Sequence, residues 1–301
     1  MSTEAAPAIG RTQAWVMAAR PKTLTAAVAP VAAGAGLAVH DGVFAALPAA
    51  AALLGAILIQ IGTNFANDDY DFVRGGDTEE RVGPTRVTQA GIIEPAAVKR
   101  GMFVVLGAAM LVGVYLVAVA GWPIVVIGLA SVVCAVAYTG GPFPLAYHGL
   151  GDVFVFLFFG LIAVGGTYFV QALTWPPDAL LAGAGLGALS TAILVVNNLR
   201  DIETDTRAGK RTLAVRLGVG GTRAELVALI AAGALVPLVG WQVYDWPPAA
   251  LAALIAIPLA ASPVKAAFRY EHPSELIPAL GATARVVVVY GVMLAAGLAL
   301  G

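Results

Sequence analysis

Charge is what this chain has least of: 12% of its 301 residues are charged and 59% are hydrophobic, with a mean hydropathy of +0.87. An average globular domain carries roughly a quarter of its residues charged, so that class is excluded. Cysteine is nearly missing. The one present, Cys134, lies inside an apolar run, which rules out an internal disulfide and a cysteine-built metal centre. Basic residues are absent from the connections around Asp41, Trp122, Pro176 and Asp245. The net charge of -1 says little about partners, and no nucleic-acid partner is expected.

What the chain has instead is length in apolar blocks. After a small polar tail over residues 1–10, an Ala/Val/Gly run follows Arg20-Pro-Lys22 and ends near His40. A secretory signal would look similar here, but the later blocks fit only if this run stays as a first span. Further blocks cover about 44–65, 102–120, 122–138, 151–174, 178–199, 225–244, 247–268 and 277–300. Each approaches the 20 or so residues that cross a bilayer. The expectation is an all-α polytopic membrane protein with nine transmembrane helices, forming a single domain over residues 11–301.

The basic residues test that count. Arg11, Arg20 and Lys22 precede the first span; Arg74, Arg81, Arg86, Lys99 and Arg100 follow the second. Arg200, Arg207, Lys210, Arg211, Arg216 and Arg223 follow the sixth, Lys265 and Arg269 close the eighth, and Arg285 lies in the first half of the ninth. All 17 therefore fall on one face. By the positive-inside rule that face is cytoplasmic, with the N-terminus there and the C-terminus opposite. The lipid bilayer is the expected surrounding, as an inner or cytoplasmic membrane protein. Trp15, Trp122, Trp175, Trp241 and Trp246 fall near span ends, where aromatic belts form.

Two polar stretches break the apolar pattern. At the end of the second block, Asn64, Asp68 and Asp71 recur at i, i+4 and i+7, with Asn67 beside them. At the end of the sixth, Asn197, Asp201 and Asp205 recur at i, i+4 and i+8, with Asn198 adjacent. Wound as helices, each set converges on one face. Both are followed by basic residues, Arg81 and Arg86 after the first and Lys210 and Arg211 after the second. Carboxylates near a bilayer are costly, and matched clusters on one face mark a cation site or substrate path rather than a solvated loop. A hard cation such as Mg²⁺ takes carboxylate oxygens while keeping substrate phosphates in its shell, and basic side chains neutralise the remaining charge.

These residues resemble a known family. Asn67-Asp68-x-x-Asp71 with a later Asp77, and Asp201-x-x-x-Asp205 four spans on, are similar to the two aspartate-rich motifs of the UbiA superfamily of intramembrane prenyltransferases. That family has nine transmembrane helices around a central cavity open to the cytoplasm. Within it the chain most resembles the 1,4-dihydroxy-2-naphthoate polyprenyltransferases of menaquinone synthesis. The residues that carry the closer match are Ala19-Arg-Pro-Lys-Thr23, Asp71 to Arg86, Tyr138-Thr-Gly-Gly-Pro142, Tyr147-His-Gly-Leu-Gly-Asp152 and Asn197 to Leu217. Hydroxybenzoate-type members space the third acid of the first motif more tightly and carry a tyrosine where this chain has Asn197-Asn198.

The resemblance implies an Mg²⁺-dependent aromatic prenyltransferase acting on a polyprenyl diphosphate and 1,4-dihydroxy-2-naphthoate, with loss of CO2 to give a demethylmenaquinone. Asp68, Asp71, Asp201 and Asp205, with the Asn67 and Asn197 carbonyls, would hold the metal. Lys22, Arg81, Arg86, Lys210 and Arg211 would meet phosphate oxygens, with Asp77 and Asn198 beside them. Tyr138 and Tyr147 would lean on the aromatic substrate or the allyl cation, unless they are interface tyrosines. Asp152 would serve as a base or orient the acceptor, unless it only stabilises a helix N-terminus. Arg285 would reach the acceptor, unless it snorkels to the interface. Other acceptors of the family stay open: homogentisate, 4-hydroxybenzoate, haem, chlorophyllide or geranylgeranyl-glyceryl types. From a different class, a cation transporter would also place acids in spans, although here they gather at one end and the far halves of both spans are apolar.

Overall fold

In a computed structural model, residues 10–75, 83 and 85–301 are described, and these are helical with no strand among them. A short helix α1 (Arg11–Ala19) leads into α2 (Pro21–His40), α3 (Ala46–Val73), α4 (Pro95–Ala120) and α5 (Trp122–Ala137). After a 3-10 turn at Leu145–His148 come α6 (Gly151–Ala172), α7 (Pro177–Arg207), α8 (Leu213–Val243), α9 (Pro248–Arg269) and α10 (Pro273–Leu300). Proline stands at the first or second position of α2, α4, α5 and α7, where its missing N–H costs nothing. The turn between α4 and α5 is the single residue Gly121, whose φ of 78° suits glycine.

Eight helices, α2 to α4 and α6 to α10, are long and apolar enough to cross a membrane. The expected fourth span is α5, apolar but only 16 residues long. Helix ends differ from the sequence expectation in an informative way. The second span continues to Val73 instead of ending near residue 65, and the sixth runs to Arg207 instead of 199. Polar residues end an apolar run without ending the helix, because the backbone N–H to C=O bonds four residues back continue whatever the side chains are. The seventh starts earlier than residue 225, at Leu213, with Thr212 Oγ1 accepting from the Val215 N–H at 3.3 Å, and bends at Gly218.

Helix α7 is the most enclosed, with 72% of its apolar stretch buried. It packs on α8, α6 and α10, and its Leu186, Leu189 and Leu199 join Tyr290 and Leu294 of α10 in the main core. Gly160 and Gly187 let α6 meet α7 backbone to backbone: a Cβ on Gly187 would stand 2.7 Å from the Phe156 carbonyl oxygen. A π-helical turn at Leu157–Ile162 falls at the same contact. A second core holds α1, α3 and α4 together through Ala14, Ala18, Phe65, Ala66 and Met102, with Val87 of the following loop plugged into it.

Of the tryptophans read as belt residues, Trp122 is exposed and Trp246 is buried. Trp246 is buried against Gly240 and donates Nε1–H to Asp178 at 3.4 Å. A glycine opposite the ring leaves room for it, so packing takes precedence over the interface.

Candidate active site

Helix α3 carries Asn64, Asn67, Asp68 and Asp71 in its last turns, and Asp68 and Asp71 are buried there. Burial obliges each carboxylate to find donors. Because Val87 is anchored in the core below, its N–H and that of Thr88 turn toward Asp68 and donate at 3.3 and 3.0 Å. The Arg20 guanidinium stands 3.7 Å from the same carboxylate. Arg86 pairs with Asp71 at 3.0 Å, and the Tyr147 hydroxyl donates to the other Asp71 oxygen at 3.2 Å. The Asn67 carbonyl accepts from Thr139 at 3.0 Å. Asn64 turns the other way, donating to the Ala19 carbonyl and Thr23, which ties α3 to the start of α2.

Helix α7 carries the second cluster in the same manner. Arg200, with a fully buried side chain, grips Asp201 through Nε and Nη2 at 2.7 and 2.6 Å and donates to the Asn197 carbonyl at 3.0 Å. Lys210 Nζ lies 3.6 Å from Asp205, and its ammonium sits over the Tyr147 ring at 5.4 Å. Burial acts to lower the Lys210 pKa, but Asp205, Asp71 and Asp201 together outweigh it and hold the group above its ordinary value. Acids from both clusters thus act on one ammonium. The clusters, far apart in the chain, meet at the loop between α5 and α6.

That loop is built around Tyr147. Its ring carries Lys210 on one contact and the Arg74 guanidinium, 5.8 Å away, on another. Its carbonyl accepts the Arg211 N–H at 3.0 Å. Arg216 donates to the next carbonyl, of His148, at 2.7 Å. Tyr138 closes α5 beside Gly151, its hydroxyl 3.0 Å from where a Cβ on that glycine would stand, and within electrostatic reach of Asp152, Asp71 and Asp205. Asp152 is buried in the first turn of α6, and its Oδ2 has no hydrogen-bond partner among the described residues.

The site residues expected from sequence therefore divide. The structure brings together Asn67, Asp68, Asp71, Arg86, Tyr138, Tyr147, Asn197, Asp201, Asp205 and Lys210, with Asp152 at their edge and Asn198 buried on α7. It does not so place the side chains of Lys22 and Arg285. Lys22 is exposed and makes no ion pair among the described residues, and Arg285 lies on the exposed stripe of α10 with Gly281 and Val292. The cation that leans on Asp68 is Arg20, two residues from Lys22. Arg211 meets the site through its backbone N–H, its residue being exposed. Asp77 and Arg81 lie outside the described residues.

Sequence reasoning missed Arg20, Arg200 and Glu225 as site groups. Arg20 has a left-handed φ of 50° at the junction of α1 and α2, which no spacing rule discloses. Glu225 on α8 lies within electrostatic reach of Asp152, with a buried Oε2 that has no hydrogen-bond partner among the described residues. At the opposite end of the bundle, Tyr168 donates to Asp41 at 2.6 Å.

Whether Mg²⁺ suits this arrangement is decided by the donors. Among the described residues no three acidic, histidine or cysteine side chains stand together as a ready-made metal site. Magnesium needs no such cage; it is usually held by one or two carboxylates with waters and substrate phosphates. The donors at both clusters are oxygens, and Asp205 Oδ2 is buried without a hydrogen-bond partner among the described residues. The set fits a hard cation bridged to an oxyanion ligand.

Residues 27–299 match the UbiA prenyltransferase family. The 1,4-dihydroxy-2-naphthoate octaprenyltransferase of Mycobacterium tuberculosis is 39% identical, over 95% of this chain and 97% of its own. The protein of the same name from Haemophilus influenzae is 36% identical over 95% and 96%. In fold, the chain is similar to a UbiA homologue from Archaeoglobus fulgidus bound to GPP and Mg²⁺, with a TM-score of 0.65 at 14% identity, covering 92% of this chain and 98% of that one. The family match spans both acidic clusters and the relatives align along nearly the whole chain, so this protein belongs to the UbiA prenyltransferase family.

Proposed function

We propose that this protein transfers a polyprenyl group from a polyprenyl diphosphate to 1,4-dihydroxy-2-naphthoate with loss of CO2, a step of menaquinone biosynthesis. The observation that carries the reading is the meeting of the two acidic clusters at Tyr147 and Lys210, at one end of an apolar helical bundle. Its acceptor comes from the relatives named above, 36 and 39% identical over nearly the full chain.

In this reading Asp68, Asp71, Asp201 and Asp205, with the Asn67 and Asn197 carbonyls, hold Mg²⁺. When bound, the metal supplies positive charge against the diphosphate. Lys210 and Arg86 add charge-assisted hydrogen bonds to phosphate oxygens, so the allylic C–O bond breaks with its electron pair leaving on the diphosphate. The apolar spans exclude the water that would quench the allyl cation. Tyr138 faces the cation. The ring carbon bearing the carboxylate attacks C1, and the C–C bond to the carboxylate breaks as CO2 leaves, its electron pair restoring the ring. Asp152 accepts a hydroxyl proton of the acceptor during attack and returns it on loss of CO2. No net proton is consumed, and the product is the diol, the reduced form of a demethylmenaquinone.

The whole of residues 11–301 acts as one membrane domain with nine spans, the acidic end facing the cytoplasm. Purified protein given Mg²⁺, a polyprenyl diphosphate and a panel of acceptors, followed by mass analysis, tests the assignment. The naphthoate is expected to turn over fastest, with its labelled carboxylate released as CO2. Faster turnover with 4-hydroxybenzoate or homogentisate, or label retained in the product, overturns the acceptor while leaving prenyl transfer standing.

A further inference from the structure

Each of the four motif aspartates already faces a cation of the chain itself. Asp68 faces Arg20 at 3.7 Å, Asp71 faces Arg86 at 3.0 Å, Asp201 faces Arg200 at 2.6 Å and Asp205 faces Lys210 at 3.6 Å. Among the described residues these four acids and four bases pair one to one. A metal ion arriving alone would have to displace these counter-ions, and they would then be left beside it as like charges.

The pairs are not equally able to part. Arg200 is fully buried, neighbours Asp201 in sequence and binds it through two nitrogens. Asp68 is fixed by two loop N–H groups besides Arg20. Lys210 is different. Its side chain is one-fifth exposed, its ion pair is long, and Asp205 keeps one oxygen without a hydrogen-bond partner. The Tyr147 ring offers the ammonium a second resting place at 5.4 Å. At Asp71, Arg86 holds one oxygen through one nitrogen and Tyr147 satisfies the other, so Asp71 keeps a partner when Arg86 turns to a phosphate.

We infer that metal and diphosphate enter this site together by counter-ion exchange: Lys210 and Arg86 leave Asp205 and Asp71 for phosphate oxygens as the metal takes over those carboxylates. Tyr147 is the pivot, keeping Lys210 within reach through its ring and Asp71 in place through its hydroxyl. The inference rests on the prenyl-diphosphate reading above and adds an order of binding to it. Linkage makes the effect reciprocal: whatever factor the diphosphate adds to metal affinity, the metal adds to diphosphate affinity.

The test is Mn²⁺ binding to the purified full chain, read by electron paramagnetic resonance, with and without a polyprenyl thiodiphosphate that does not ionise. Weak Mn²⁺ binding alone, tightened on the order of tenfold or more by the analogue, is expected for the natural sequence. Lys210→Met should bind Mn²⁺ alone several-fold more tightly, bind the analogue more weakly, and lose much of the coupling. Arg86→Gln should move in the same directions, and provides the check if Lys210→Met does not fold. Equal Mn²⁺ affinity with and without the analogue, or unchanged Mn²⁺ affinity in both variants, overturns the exchange. Failure of the function reading looks different: the analogue then binds at neither metal condition and no acceptor is prenylated, and the exchange falls with it.

Discussion

Asp201 and Arg200 are sequence neighbours that nevertheless bind each other through two nitrogens, with the arginine side chain fully buried. Arg200→Met should therefore leave a carboxylate without its partner and destabilise the fold by roughly 3 kcal/mol or more, measured as a loss of thermal stability in detergent. Asp71→Asn and Asp205→Asn act on the chemistry: each should lower turnover roughly a hundredfold or more while the purified protein keeps its helical content. Tyr147 separates two roles within one side chain. Tyr147→Phe keeps the ring under Lys210 and loses the hydrogen bond to Asp71, whereas Tyr147→Leu loses both. Steady-state kinetics should give a modest fall in kcat for the first and, for the second, a rise in diphosphate KM as well. Lys210 gives a sign for pH. Because its pKa is held above the ordinary 10.5, the stability its pairing contributes is present at neutral pH and is lost only as pH rises through that raised value.

At the scale of elements, the contact between α6 and α7 is the one most easily broken. Gly187→Leu would drive a side chain into the Phe156 carbonyl and the Gly160 backbone. It should cost about 1–3 kcal/mol as an overpacking change, and circular dichroism melting would register it. Since Asp152 opens α6 and Asp201 lies further along α7, the same variant should weaken turnover through displaced geometry. Helix identity and the shared facing of Asp68 and Asp71 were legible from spacing because a 3.6-residue period is a local property, whereas Asn64 turns instead to Ala19 and Thr23. The extension of α3 and α7 past their apolar blocks was not, since hydropathy marks where lipid ends rather than where the helix does.

For the whole molecule, the reading of one charged face leads to a labelling experiment. In a Cys134→Ser background, Ala208→Cys should react with an impermeant thiol reagent from the cytoplasmic face and Asp245→Cys only from the opposite one; both positions are exposed. Labelling of both from one side would overturn the orientation. A topology with α5, 16 residues long, turning back within the membrane would instead exchange the two labels, because α8 still separates the positions.

The sequence by itself determined that this is a membrane-embedded helical protein with two acidic faces, because apolar length, helical period and charge placement are written in consecutive residues. Tertiary structure alone decided which cation serves which acid. Lys22 and Arg20 are two positions apart, yet only Arg20 reaches Asp68, because a left-handed turn between α1 and α2 aims it there. Lys210 and Asp71 belong to distant segments that meet only through the fold of the α5–α6 loop around Tyr147. Ion pairs across a bundle depend on where backbone turns and buried packing carry the side chains, and neither is visible in the spacing of one helix.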